Sequence, residues 1–386
     1  MKKLLYLGYY DTQNNLAENR HYYLAASSKM DYICSAINRA GWDVEIVSAS
    51  GTRNQTGYPG KKIMLSDHIK LTLFPTIGRG CKLKRLIAHV TLQFNLFLFL
   101  LQNVKSRDAL IAYHSLDYAR MLWLLKKIIK FRLILEVEEI YADVNGKRSQ
   151  RKREMRLFRV ADAFLFSTEM LNKAINSAGK PYLIINGTYQ IEEMQNCSFI
   201  DSELIGKINI VYAGTFDPRK GGAAAAAAAK FLDDNYHIHI IGFGSEYEKE
   251  HLFRIIDETR KKTKCGLTYG GLLSGEDYIR FIQSCDIGLS TQNPDASFNA
   301  TSFPSKVLSY MANGLRVVSV RIDSVEKSAV GDLITYYDHQ TPENIAKAIK
   351  SVDLSKAYDS RTRVRELDAK FQQDIKQLIE VVNEVD

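Results

Sequence analysis

The segment Thr301-Ser302-Phe303-Pro304-Ser305-Lys306, continuing as VLSYMANG to Gly314, puts a lysine where a helix should begin. Proline suits a first helical turn because its missing N–H has no partner there anyway, and Ser302 or Phe303 then falls near the cap. The N–H groups of Ser305 and Lys306 would face outward at the positive end of the helix. Together with the Lys306 ammonium they favour a diphosphate. A second such turn is YAGTFDPRKGG, in which a strand closes at Gly214 and Lys220 and Gly221 open a helix. Backbone N–H groups and an ammonium converge there too, which suits a phosphate. Gly242, Gly244 and Ser245 (GFGS) repeat the arrangement one strand later. Gly8 ends the first strand without a G-x-G-x-x-G, which argues against a dinucleotide site at that turn.

These turns need strands to carry them, and the chain alternates strand and helix throughout, the pattern of a parallel α/β sheet. In the front half KLLYLGY, WDVEIVSA, IKLTLFP, DALIAYH, RLILEVEE, AFLFST and YLIINGT read as strands. Helices are expected at Lys29–Ala40, from Ile87, at Leu116–Ile129, at Arg148–Val160 and from Glu169. Tyr189–Lys207 has no strong period and reads as a linker. The second half restarts with INIVYAGT, followed by YHIHIIGFG, LTYGG, DIGLSTQ, LRVVSVR and LITYY as strands. Its helices are the alanine run Ala223–Ala229, Glu246–Lys262, Gly275–Cys285, one from Ser305, and Pro342–Val352. The expected organisation is an N-terminal domain over residues 1–190, a C-terminal domain over 207–365, and a helix over 366–386 packing back across both. Ligands of open parallel sheets bind outside the carboxyl ends of the strands, where the glycine turns lie.

Charge is unevenly spread. Residues 1–200 hold 29 Lys+Arg against 17 Asp+Glu, and the remainder 23 against 27. A basic front half suits a phosphorylated acceptor, an anionic membrane surface or nucleic acid. Nucleic acid is disfavoured, since basic residues are not interleaved with aromatics and no recognition motif occurs. Five widely spaced cysteines (Cys34, Cys81, Cys197, Cys265, Cys285) include no CxxC pair, which argues against structural zinc or a disulfide framework and for a cytoplasmic setting. MKKLLYLGYYD has too short an apolar core for a signal peptide. Ile87–Leu101 is a 15-residue apolar stretch, short of the roughly 20 residues of a membrane span, so it is expected to be buried or to lie on a membrane surface.

From Ile208 to Val320 the order YAGTFDPRKGG, IIGFGS, YGGLLSGEDYIRFIQSCDIGLSTQ and SFPSKVLSYMANGLRVVSV resembles the nucleotide-sugar-binding domain of retaining GT-B glycosyltransferases (family 4, group 1 type). The front half is similar more loosely, through YHS at Tyr113–Ser115 and LEVEEIY at Leu135–Tyr141. The resemblance implies two Rossmann-like domains facing across a cleft. The expected activity is transfer of a sugar, with retention, from a nucleotide-diphosphate sugar to a glycan or lipid-linked acceptor in cell-surface polysaccharide biosynthesis. It further implies that Lys220 and the Ser305–Lys306 helix start hold the donor diphosphate, and that Gly270, Gly271 and Leu272 lie along the nucleobase. Gly242 and Gly244 would let backbone approach the donor, His114 would lie near the transferred sugar, and Glu138 or Glu139 would face the same cleft. The family's arginine after the strand glycine is Thr215 here, with Arg219 as a substitute counter-charge, and its paired acidic positions are Thr301 and Ser309. Stabilising a leaving diphosphate needs no metal, no DxD for one is evident, and no cofactor besides the donor is expected. The expected location is the cytoplasm, with peripheral contact at the anionic inner face of the plasma membrane. The rival readings are a non-catalytic binding subunit on the same fold and a sugar-nucleotide epimerase.

Overall fold

Runs such as LLYLG, LIAY, LILEV and NIVYAG, apolar with little alternation, become strands covered on both faces, as parallel sheets require. In the computed structural model, which describes residues 2–145, 148–195, 204 and 206–384, they build two separate sheets. Residues up to Thr188 together with those from Ala369 form one compact unit, and Tyr189–Asp368 form the other. Of the linker expected at Tyr189–Lys207, residues 196–203 and 205, including Cys197, lie outside the described residues.

The first sheet contains β1 (Lys2–Gly8), β2 (Trp42–Ser48), β3 (Lys61–Ser66), β4 (Ile69–Leu73), β5 (Ala109–Tyr113), β6 (Arg132–Val137), β7 (Ala163–Phe166) and β8 (Tyr182–Ile184). Their order is β3-β4-β2-β1-β5-β6-β7-β8. All pairings are parallel except β3 with β4, an edge hairpin with Lys61 opposite Leu73. The second sheet contains β9 (Ile208–Thr215), β10 (Tyr236–Phe243), β11 (Gly266–Tyr269), β12 (Ile287–Ser290), β13 (Arg316–Val320) and β14 (Ile334–Tyr337), ordered β11-β10-β9-β12-β13-β14 and parallel throughout. In each sheet the strand order reverses once, between β1 and β5 and between β9 and β12. A crevice at the carboxyl ends of those strands is the place such sheets offer a ligand.

Helix starts follow local chemistry. Ser115 Oγ accepts from Asp117 N at the head of Leu116–Ile129, and Ser245 with Glu248 forms a capping box for Glu246–Arg260. The helix expected from Ile87 is longer than its apolar stretch and runs Lys82–Asn103, 22 residues, with only Leu92, Leu96 and Leu100 fully buried. By length and composition it could cross a membrane. The closing helix, Ser360–Glu384, also starts earlier than its apolar spacing suggests. From Ala369 it belongs to the first unit, where the Phe371 ring stacks on Tyr32 at 5.4 Å.

Candidate functional site

At the reversal point of the second sheet, Gly214 and Thr215 end β9 and Thr291 follows β12. Lys306 reaches this spot from the helix Lys306–Ala312. A Cβ built on Gly214 would come within 2.8 Å of Lys306 Nζ, so a larger residue there would press the ammonium aside. Nζ lies 3.8 Å from the centre of the Tyr212 ring, is buried, and has no hydrogen-bond partner among the described residues. Burial, reinforced by the neighbouring Lys220 charge, pushes its pKa down to about 7. A desolvated cation without a counter-ion is costly, and the chemistry that would relieve it is an anion.

Lys220 stands at the same corner, its Nζ 3.9 Å above the Phe298 ring. It is held there by the turn. Gly221, at φ +85°, presses so closely on Thr291 that an added Cβ would meet the Thr291 carbonyl oxygen at 1.7 Å, and Thr291 Oγ1 donates to Gly221 O at 2.8 Å. One strand over, Gly242, at φ +137°, packs against Gly214 O and donates its N–H to Gly271 O at 2.7 Å. Gly244 and Ser245 lead into the next helix, and Leu272 is exposed beyond β11. Sequence spacing thus gathers Gly214, Lys220, Gly242, Gly271 and Lys306 at neighbouring strand ends.

Several expectations need correction. The cap is neither Ser302 nor Phe303: Ser302 Oγ donates to Phe298 O at 2.8 Å, Phe303 is buried, and Pro304 stops short of the helix. The helix begins at Lys306 after an exposed Ser305 that offers no side-chain cap, and it is seven residues long. The ammonium, rather than the helix start, is therefore the main source of positive charge. Arg219 does not replace the absent arginine at Thr215, because its guanidinium grips Asp217, with Nη2 2.7 Å from Oδ2. The Ser309 hydroxyl is engaged by Tyr278 OH at 3.0 Å and does not stand in for a ribose-binding carboxylate.

In the first unit a cleft of about 850 Å³ opens at the carboxyl ends of β1, β2, β5 and β6, and Glu139, Tyr113 and Ser115 line it. His114 does not line it. The ring is 1 % exposed, stacked on Tyr141 at 4.8 Å and tilted against Phe158 at 4.9 Å, and burial holds its pKa down at about 3. Neutral and covered, it is a core histidine, contrary to the expected place beside a ligand. Glu138 is tied to the buried Lys29, whose Nζ also donates to Ile185 O at 2.8 Å. Beneath them Glu136, fully buried, accepts from Tyr6 OH, and burial pushes its carboxyl up against the opposing pull of Lys29. The Glu136–Lys29–Tyr6 cluster is not foreseen from the sequence, although Glu136 and Glu138 share a face of the LEVEE segment by the two-residue period of a strand. Among the described residues no group of three or more His, Cys, Asp or Glu could hold a metal ion.

No family model and no curated protein sequence matches the chain. Solved structures do. A trehalose-6-phosphate synthase of E. coli bound with UDP-2-fluoro glucose superposes with TM-score 0.70 at 12% identity, over 100% of both chains. The chain has the GT-B fold. HepE of Anabaena in complex with UDP matches with TM-score 0.62 at 12% identity, covering 100% of this chain and 99% of that one. The α,α-trehalose 6-phosphate synthase of Burkholderia multivorans matches with TM-score 0.65 at 10% identity, covering 98% and 94%.

Proposed function

We propose that this GT-B chain is a glycosyltransferase that takes a sugar from a nucleotide-diphosphate donor. The observation that carries the reading is the buried, unpartnered Lys306 ammonium beside Gly214 at the reversal point of the second sheet. The donor diphosphate lies against Lys306 and Lys220, with Gly242, Gly244, Gly271 and Leu272 beside the rest of the nucleotide. In the reaction the bond from the anomeric carbon to the diphosphate oxygen breaks, and its electron pair stays on the diphosphate. The acceptor hydroxyl forms the new bond and passes its proton to the leaving diphosphate. A preorganised cation in a dry site stabilises the developing charge far more than one in water would. Transfer proceeds with retention, the outcome described for a trehalose-6-phosphate synthase of similar structure.

The acceptor is a glycan or lipid-linked species handled by the first unit in polysaccharide synthesis, with Glu139 facing it from the cleft wall. The helix Lys82–Asn103 supports peripheral contact with the inner face of an anionic membrane. Leu83, Leu86, Ile87, Val90 and Phe94 are exposed on it, with Lys82, Lys84 and Arg85 at its head. A non-catalytic binding subunit is the second reading, favoured by Ser309 being engaged by Tyr278 and Arg219 by Asp217.

A thermal-shift panel of UDP-, GDP- and dTDP-sugars tests the donor assignment, followed by donor turnover with and without candidate acceptors. The enzyme reading expects stabilisation by one base, and turnover that falls by about 10²-fold or more in Lys306→Ala, the scale of a lost charge-stabilising group. Unchanged turnover in Lys306→Ala sinks the diphosphate assignment. Binding without turnover favours the non-catalytic subunit, and turnover without acceptor an epimerase.

A further inference from the structure

We propose that the cleft of the first unit binds a phosphoryl group carried by the acceptor, with Arg53, Arg79 and Arg85 as its cationic wall. The inference rests on the glycosyltransferase reading for the word acceptor, and deepens it by naming the acceptor's chemical class. The three arginines come from separate segments: the loop after β2, the loop after β4, and the first turn of Lys82–Asn103. All three side chains are exposed to the cleft's solvent, and none has a carboxylate partner among the described residues. Elsewhere in the same unit surface cations do find partners, as with Lys3 and Glu45, Lys126 and Asp162, or Arg151 and Asp143. Three guanidiniums left unpaired along one concavity create a field that draws in an anion, and their planar forks match phosphate oxygens in pairs.

Other groups of the lining have the reverse character. Tyr9 OH donates to Asp117 Oδ2 at 2.7 Å, and Tyr9 stacks on Tyr118 at 5.1 Å, so the ring and the carboxylate are fixed. Asp117 and Glu139 line the cleft with Tyr141. Carboxylates accept from sugar hydroxyls and repel phosphate, and phenols donate to or accept from the same hydroxyls. The two sets of groups therefore orient an anionic glycoside, hydroxyls toward Asp117 and Glu139, phosphate toward the arginines. His21 also lines the cleft, and burial followed by the Arg53 charge holds its pKa below the usual value, so it adds no cation at neutral pH.

The test is calorimetric titration of the full chain with glucose 6-phosphate, with glucose as the neutral control, and with farnesyl diphosphate in neutral-lipid vesicles. Wild type and the variant Arg53→Gln/Arg79→Gln/Arg85→Gln are compared. The three arginines are exposed, so the triple variant should fold, which circular dichroism checks. Expected are binding of at least one phosphorylated probe, no binding of glucose at the same concentration, and at least tenfold weaker binding in the triple variant. Preference for glucose 6-phosphate identifies a soluble sugar phosphate, and preference for farnesyl diphosphate a lipid-linked one. The proposal is overturned if the triple variant binds within twofold of wild type or if glucose binds as tightly as its phosphate. Nucleoside-diphosphate binding, measured in parallel, fails independently: its absence would remove the donor assignment while leaving the arginine cleft's result standing.

Discussion

Replacing Lys306 by methionine keeps an unbranched side chain one atom shorter and removes its charge, which separates the cost of the ammonium from its use. In the folded protein burial and Lys220 hold the Lys306 pKa at about 7. An unfolded lysine titrates near 10.4, a gap of about 3.4 units or about 4–5 kcal/mol. The sign follows from proton counts: between pH 7 and 10.4 the unfolded chain binds more protons, so stability rises with pH across that window. Below pH 7 the full penalty stands. Water penetration and relaxation cut such penalties roughly in half, and a unit of this size gains about 2–4 °C per kcal/mol. The ligand-free Lys306→Met protein should therefore melt on the order of 5–10 °C higher than wild type at pH 6, with the difference shrinking towards zero by pH 10. Differential scanning fluorimetry across that pH range, with and without a nucleoside diphosphate, measures both halves of the argument. Wild type should gain stability from the nucleotide and the variant should not. A variant that melts at or below wild type at every pH, or that keeps the nucleotide's stabilisation, refutes the reasoning.

His114, depressed to about 3 by burial, makes the first unit lose stability as pH falls from about 6.5 towards 3, by up to about 1.4 kcal/mol per unit. His114→Phe should flatten that acid limb in urea denaturation, and an unaltered pH dependence would count against a neutral core histidine. Lys29→Met leaves Glu136 and Glu138 without their shared cation, at a cost on the order of 3–5 kcal/mol; a wild-type urea midpoint in that variant would contradict the pairing. On anionic vesicles at low salt, wild type should float and Val90→Glu/Phe94→Glu should not, because both side chains are more than half exposed on Lys82–Asn103. Equal flotation of the two proteins would rule out that face as the membrane contact.

The elements most legible in the sequence are those whose neighbours agree with their own chemistry. Leu116–Ile129 has Ser115 ahead of it and a three-to-four-residue apolar spacing, and both its ends can be read from the residues. Strand β3 escapes such a reading because KKIMLS alternates half-exposed and exposed positions at a sheet edge, where no buried face marks it. The head of Lys82–Asn103 escapes it because Lys82, Lys84 and Arg85 break the apolar run without breaking the helix. In the second unit, glycine positions and Lys306 are readable, since strand-to-helix turns have a local signature. Whether a charge is spent or available is a tertiary matter. Arg219 is neutralised by a residue two positions away, Ser309 is engaged by Tyr278, and Lys306 is stranded by burial, and none of these follows from spacing. His114 is misjudged for the same reason, since Tyr141 and Phe158 reach it from distant segments.

The helix Gly222–Ala228 packs against Glu246–Arg260 and Pro342–Lys350 with Ala225, Ala226 and Ala228 fully buried. A surface of identical methyl groups interlocks with nothing in particular: rotated by one residue or slid by one turn, it would offer its neighbours nearly the same shape. Its position must therefore be fixed from its head, by Gly221 wedged on Thr291 and Gly222 against the Tyr212 ring. The aim of Lys220 is then set by a two-glycine latch, and substitutions along the alanine run should leave it in place so long as the latch stays closed.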